Sequence, residues 1–268
     1  MMPVELRDFL FAPLEGKKFS FKITSREKGI FSGAARLEQQ ARELGLEFTI
    51  LASEGAPLEP GSCILRGQGG AEEVIRAEEM LLGAIGKPSG VATAAADFVR
   101  RAGGRIKVVC GAWKKVAPEV RSDLRRAIAT GGAGVRITDR PFIYLDKNYV
   151  RLLGGVGPAV ARARAYDPER VIAVQLRGEL QPVAVEAAVA VEAGAGILMV
   201  DTGNLRDLKA AVTAARTGGW RDQVQMAFAG GVTPDGLEAV IAAGADIVDV
   251  GRAIIDAPLL DLSMDVAE

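Results

Sequence analysis

The amino-acid sequence predicts an α/β protein in two parts, a small sandwich-like α+β domain over residues 1–103 and a TIM-like α/β barrel over residues 104–268. Three observations predict it. The hydropathy pattern changes at Gly103-Gly104, beyond which apolar runs alternate with amphipathic helices in repeats of about 25 residues. Those runs are continuous rather than alternating, as in strands buried on both faces of a parallel sheet. Finally, glycine turns close the last two runs, Ala229-Gly230-Gly231-Val232 and Asp249-Val250-Gly251-Arg252.

The elements follow in order. In the first part, residues 19–24, 47–52 and 62–66 read as short strands, with a helix over 34–44 and a turn at Leu58-Glu59-Pro60-Gly61. Two helices, 71–85 and 93–102, close this half. The apolar face of Met80, Leu81, Leu82 and Ile85 suits a core or an interface, and each residue taken singly reads as core. In the second part the strands fall at 106–110, 142–145, 171–176, 197–201, 224–229 and 247–251, with one more short strand at 135–137. The intervening helices cover 122–130, 158–165, 182–193, 205–215 and 234–243.

Composition excludes several function classes. A chain of 268 residues, 49% hydrophobic, supports one large domain or two unequal ones. A formal net charge of -1 without a long basic run argues against nucleic acid. Residues 1–10 include Glu5, Arg7 and Asp8 and lack the basic-then-apolar order of a signal peptide, and Glu186 and Glu192 interrupt the most alanine-rich segment, so no membrane span is expected. A cytoplasmic protein is the expectation. Cys63 and Cys110 have neither metal-ligand spacing nor partners for a disulfide framework and read as buried small hydrophobes. The sequence contains no histidine, which removes Ser-His-Asp and Cys-His catalysis and the usual general base. Chemistry must then run on carboxylates, lysines, arginines and backbone amides.

In a barrel, the chemistry sits at the C-terminal ends of the strands. Those ends carry Lys114, Lys115, Asp146, Lys147, Gln175, Arg177, Asp201, Thr202, Gly230, Gly231, Gly251 and Arg252. Cations converging with glycine turns suit a phosphorylated small molecule. Two readings of the glycines stay open: a seat for phosphate, or tight turns at positive φ.

The ordered motifs resemble the quinolinate phosphoribosyltransferase family over nearly the whole chain. Ser25-Arg26-Glu27-Lys28-Gly29-Ile30-Phe31-Ser32-Gly33 is similar to its early strand and turn, and Ser89-Gly90-Val91-Ala92-Thr93 to its Ser-Gly-Ile-Ala-Thr. Lys114-Lys115-Val116-Ala117-Pro118 stands where the family reads Arg-Lys-Thr-x-Pro, and Gly131-Gly132 followed by Arg136 resembles its glycine run ending in His-Arg. The strand ending Val200-Asp201 resembles its Leu-Asp-Asn strand, and Ala229-Gly230-Gly231-Val232 and Val250-Gly251 its closing phosphate strands. The resemblance implies transfer of phosphoribose from its diphosphate with Mg²⁺, and a homodimer in which one chain's small domain covers the neighbour's barrel. It implies catalytic roles for Lys115 and Asp201, substrate contacts from Lys114, Arg136, Lys147, Gln175 and Arg177, and a phosphate seat at Gly230, Gly231, Gly251 and Arg252.

The departures carry information too. The family's arginine for the pyridine dicarboxylate falls at Glu79, so an attraction for a carboxylate becomes a repulsion. The Lys-Asp-Asn-His strand end reads Asp146-Lys147-Asn148-Tyr149, and Gln175 is the nearest counterpart of a glutamate beside the ribose. These changes imply a ring other than quinolinate. A non-catalytic homologue that binds a phosphorylated metabolite or supports a partner subunit is the other class of reading.

Overall fold

The computed structural model describes residues 5–266, so the first four residues of the segment read against a signal peptide lie outside the described residues. In chain order the elements begin with α1 (Leu6–Phe11), β1 (Phe19–Ser25), β2 (Gly29–Ile30), α2 (Ala34–Glu43), β3 (Glu47–Ile50), β4 (Pro57–Leu58), β5 (Cys63–Gly69) and α3 (Ala71–Ala102). They continue with β6 (Lys107–Val109), α4 (Arg121–Thr130), β7 (Phe142–Leu145), α5 (Lys147–Leu152), α6 (Val156–Tyr166), β8 (Val171–Leu176) and α7 (Val183–Glu192). The last are β9 (Ile197–Val200), α8 (Leu205–Thr217), β10 (Gln225–Ala229), α9 (Leu237–Ala242), β11 (Ile247–Asp249), α10 (Arg252–Ile255) and β12 (Leu262–Val266).

The chain divides into two units, and the division is not a single cut near Gly103. Residues 117–132 and 256–268 group with residues 1–96, while 97–116 and 133–255 form the other unit. The physical reason lies in pairing. β12 runs antiparallel to β1, with Phe21 opposite Val266 and Ser25 opposite Leu262, so the C-terminal strand completes the sheet β12-β1-β5-β3. Phe21, Ile23, Leu65, Leu81 and Ile85 are buried in the core of this first unit, while Met80 and Leu82 pack partly buried against it. The Met80 to Ile85 face is therefore core.

The two helices expected over 71–85 and 93–102 are one continuous helix, α3, running through Pro88. A proline removes one helical donor, but neighbouring groups can satisfy what is freed. Here the glycines serve packing rather than a break. A Cβ at Gly90 would lie 1.9 Å from the Pro258 carbonyl oxygen, and the Leu260 N–H donates to the Gly86 carbonyl at 3.0 Å. Small residues on this face let the chain segment at 257–260 lie directly on the helix.

In the second unit all six strands are parallel, in the order β6-β11-β10-β9-β8-β7. Val109 of the first edge strand and Phe142 and Tyr144 of the last share one interior cluster with Ala173, Met199, Ala227 and Ile247. Opposite edges that fill one interior mean a sheet curled into a barrel, with alternate residues pointing inward. The expected strand at 135–137 reduces to a single parallel bridge between Val109 and Gly134, although Ile137 still fills the interior. Cys110 is buried as expected. Cys63, the first residue of β5, is only half-buried.

Candidate active site at the barrel mouth

Register fixes which side chains meet at the C-terminal rim. Tyr144 lies opposite Ala173, Gln175 opposite Met199, and Ala229 opposite Asp249, which in turn faces Val109. Period-two alternation then carries Tyr144, Asp146, Gln175, Asp201 and Asp249 inward at successive strand ends.

Asp201 is held by the side chains of Gln175 and Arg177. Gln175 Nε2 donates to its Oδ2, and Arg177 Nη1 donates to its backbone carbonyl at 2.9 Å and reaches Oδ2 at 3.5 Å. Asp201 Oδ1 accepts no hydrogen bond among the described residues. Asp249 accepts the Gly111 N–H at 2.9 Å. Burial pushes its carboxyl above the usual range, the Asp201 charge adds to that, and Lys114 and Lys115 oppose it. Asp146 is turned away from a ligand role: its Oδ1 accepts the Asn148 and Tyr149 N–H groups at 2.8 and 3.2 Å and caps α5.

Lys114 and Lys115 occupy the short turn Ala112–Lys115 after β6. The Lys114 ammonium lies 5.7 Å from the Trp113 ring centre and 5.6 Å from that of Tyr144. Burial holds the Tyr144 hydroxyl well above the usual phenol range, and Asp249, Asp201 and Asp146 raise it further. The phenol stays neutral and can donate.

The glycines separate into two kinds. Gly230 has φ +113°, and a Cβ there would lie 2.5 Å from the Gly203 nitrogen, so the two loops touch backbone to backbone. Gly231 has φ +70° with no atom within 4 Å of a Cβ position. Gly251 needs no positive φ, and its Cβ position meets only the Ala112 methyl at 3.7 Å. The N–H groups of Gly231 and Gly251 have no partner among the described residues. The turn reading accounts for Gly230 and for the positive φ of Gly231, while open space with free donors remains at Gly231 and Gly251. Arg252 opens α10 beside Gly251 and is exposed.

Two expected ligands stand apart from this cluster. Lys147 is exposed on the first turn of α5, where its charge acts on Glu179, while its backbone N–H donates to Gln175 Oε1 at 2.6 Å. The exchange of lysine and aspartate made Asp146 the cap and turned Lys147 outward. Arg136 rests its guanidinium 5.3 Å from the Phe142 ring centre and bonds to none of the three aspartates among the described residues. Sequence reasoning missed Asp249, Tyr144 and Trp113 as site residues. Counting inward positions in twos from Ile247 finds Asp249, and from Phe142 finds Tyr144; Trp113 carries no such signal.

Among the described residues, no three His, Cys, Asp or Glu side chains form a metal-binding group, and no helix is long and apolar enough to cross a membrane.

Comparison with known proteins agrees with this architecture. Residues 8–89 match the family model for the N-terminal domain of quinolinate phosphoribosyl transferase, and residues 91–265 that for its C-terminal domain. A probable nicotinate-nucleotide pyrophosphorylase (carboxylating) of Methanothermobacter thermautotrophicus is 28% identical over 259 residues, covering 94% of this chain and 89% of the relative. The nicotinate-nucleotide pyrophosphorylase (carboxylating) of Rattus norvegicus is 28% identical over 246 residues, covering 90% of this chain and 80% of the relative. The structure of the nicotinate-nucleotide pyrophosphorylase from Francisella tularensis superposes with a TM-score of 0.81 at 22% identity, covering 98% of this chain and 91% of that one. The chain belongs to the quinolinate phosphoribosyltransferase family.

Proposed function

We propose that this chain is a phosphoribosyltransferase that binds a phosphoribosyl ligand at the barrel mouth and moves phosphoribose to or from a ring other than quinolinate. The observation that carries the reading is the convergence of Asp201 and Asp249 with Lys114 and Lys115, beside the open N–H groups of Gly231 and Gly251. Departure of diphosphate leaves a cation-like ribose, which fixed carboxylates stabilise, while lysines and backbone donors hold the phosphates. Asp201 and Lys115 take the catalytic roles in this reading. Lys114, Arg177 and Arg252 flank the phosphates, with Gly230 shaping the loop beside them.

Mg²⁺ fits this donor set. It usually takes one or two carboxylates together with substrate phosphates, and Asp201 and Asp249 lie within electrostatic reach of each other. When bound, the ion would neutralise developing charge on the diphosphate. The choice of ring rests on Glu79, where the chain presents an acid exposed to solvent and paired with Arg7 at 2.8 Å. Exposed Leu6, Phe9 and Leu10 on α1 support a homodimer. Two cysteines without a disulfide suit a reducing, cytoplasmic setting.

A binding-only homologue is favoured by one specific observation, the diversion of Asp146 to a helix cap. Calorimetric titration with phosphoribosyl diphosphate, with and without Mg²⁺, followed by quinolinate, separates the readings. Binding of the diphosphate strengthened by Mg²⁺, with no response to quinolinate, is expected. Nicotinate mononucleotide formed from quinolinate would overturn the changed ring, and absence of diphosphate binding would overturn the transferase.

A further inference from the structure

At the inward strand ends of the mouth, Tyr144 stands among Asp146, Gln175, Asp201 and Asp249. The aspartates, when ionised, can only accept, and Gln175 turns its amide to the Lys147 N–H and to Asp201. The Tyr144 hydroxyl makes no hydrogen bond among the described residues. Its ring packs against the interior cluster of Val109, Ala173 and Met199, with the Lys114 ammonium 5.6 Å from the ring centre. Packing thus fixes the ring and leaves the oxygen as a neutral donor at the floor of the mouth. Acids surround that oxygen: Asp249, Asp201 and Asp146 all act on it. Lys114 and Lys115 act on Asp249 and offset part of this charge.

Strand order decides what the hydroxyl meets. The open N–H groups of Gly231 and Gly251 follow β10 and β11, and β7 stands three strands from β10 in the order β6-β11-β10-β9-β8-β7. In a barrel of six strands, three is half the circuit. A phosphoribosyl group seated by its 5′-phosphate at the glycines therefore points its ring across the mouth, toward Tyr144. We infer that Tyr144 is a specificity-determining residue, whose hydroxyl donates to a carbonyl oxygen of the transferred ring, and that this ring is uncharged, as a lactam is. The inference rests on the phosphoribosyl reading and names the class of ring within it. An acidic ring would bring like charge to the three carboxylates, and a ring without an acceptor would displace water from the phenol and leave it unpaired.

The test is calorimetric titration of wild type and of Tyr144→Phe, which keeps the packed ring and removes only the hydroxyl. Ribose 5-phosphate carries no ring, uridine and inosine 5′-monophosphates carry a small and a large lactam, and nicotinate mononucleotide carries a carboxylate. Wild type is expected to bind at least one lactam nucleotide about tenfold or more tighter than ribose 5-phosphate, and nicotinate mononucleotide no tighter than ribose 5-phosphate. Tyr144→Phe is expected to weaken that lactam nucleotide about tenfold and ribose 5-phosphate less than about twofold, with a melting temperature within about 2 °C of wild type. A preference for nicotinate mononucleotide, or a lactam nucleotide bound equally well by both proteins, would overturn the inference. An equal loss for every probe would overturn it too, because a structural or phosphate contact does not distinguish rings. Ribose 5-phosphate bound without any gain from a lactam would overturn the class of ring alone. Wild type that binds none of the probes would overturn the phosphoribosyl reading itself.

Discussion

The two ends of the barrel carry similar charged side chains and treat them in opposite ways. At the base, where strands begin, the groups close on one another. Arg221 donates to the Val224 and Gly244 carbonyls at 3.2 and 3.1 Å and to Asp246 at 2.8 Å, and the other Asp246 oxygen accepts the Met226 N–H at 2.7 Å. Arg164 donates to the carbonyls of Pro168 and Gly194, and Arg170 to Asp167. The Glu169 N–H, together with Arg170, holds the Asp167 carboxyl below the usual range. A cavity of about 460 Å³ opens at this end, lined in part by Arg140, Arg164 and Arg170. At the mouth, by contrast, the Asp249 carboxyl is pushed up, Asp201 Oδ1 has no partner among the described residues, and Gly231 and Gly251 keep open donors. The difference separates two kinds of charge: at the base it is satisfied by its own chain, and at the mouth donors and an acceptor are left open, as the proposed phosphoribosyl reading requires.

Substitutions can break or sharpen this contrast, and the largest stability effect is expected inside the mouth. Gly230→Ala combines a positive φ with a Cβ placed 2.5 Å from backbone, and should cost about 3 kcal/mol or more in urea unfolding. Gly251→Ala meets neither obstacle, so its stability should change by less than about 0.5 kcal/mol while binding of phosphoribosyl diphosphate falls about tenfold. Equal stability losses at the two glycines would erase the distinction between a turn and a seat.

At the base, Arg221→Ala leaves Asp246 and two carbonyls without their donor. Because the pair is partly exposed, with side-chain exposure of 23% and 34%, the expected cost is about 2 kcal/mol rather than that of a fully buried pair. Binding at the mouth should be unchanged. A binding defect without a stability defect would reverse the assignment of the two ends.

The smallest expected effect on stability comes from Asp249→Asn. A carboxyl whose folded value is raised makes the native state hold its proton more tightly, so its contribution to stability is present at low pH and lost as pH rises through the folded value. The variant should therefore melt slightly above wild type near neutral pH, with the gap closing as pH falls, while Mg²⁺-dependent binding weakens. A variant that melts below wild type at neutral pH would mean that Asp249 supports the fold instead of the site.

Much of the fold was legible in the sequence, because strand burial leaves a local trace. β7 and β8 fall on the expected 142–145 and 171–176, where Pro141 and charged neighbours bound continuous apolar runs. The long helix α3 was not legible in the same way. Gly86, Pro88 and Gly90 look like breakers until the segment around Pro258, far along the chain, is seen lying against them. The site divides similarly. Asp201, Lys114 and Lys115 follow from strand ends, but the outward place of Lys147 depends on Asp146 standing at the inward strand-end position and spending its carboxylate on the cap of α5.

The sequence by itself determined the class of fold, the family, and the chemistry open to a chain without histidine, since composition, hydrophobic period and motif order are local properties. Only the tertiary structure decided that the last strand completes the first sheet, that Gly230 meets Gly203 while Gly251 faces open space, and that Gln175 lies between Lys147 and Asp201. Each of these is a meeting of residues distant in sequence, set by strand register and backbone approach, and no local pattern of side chains encodes it.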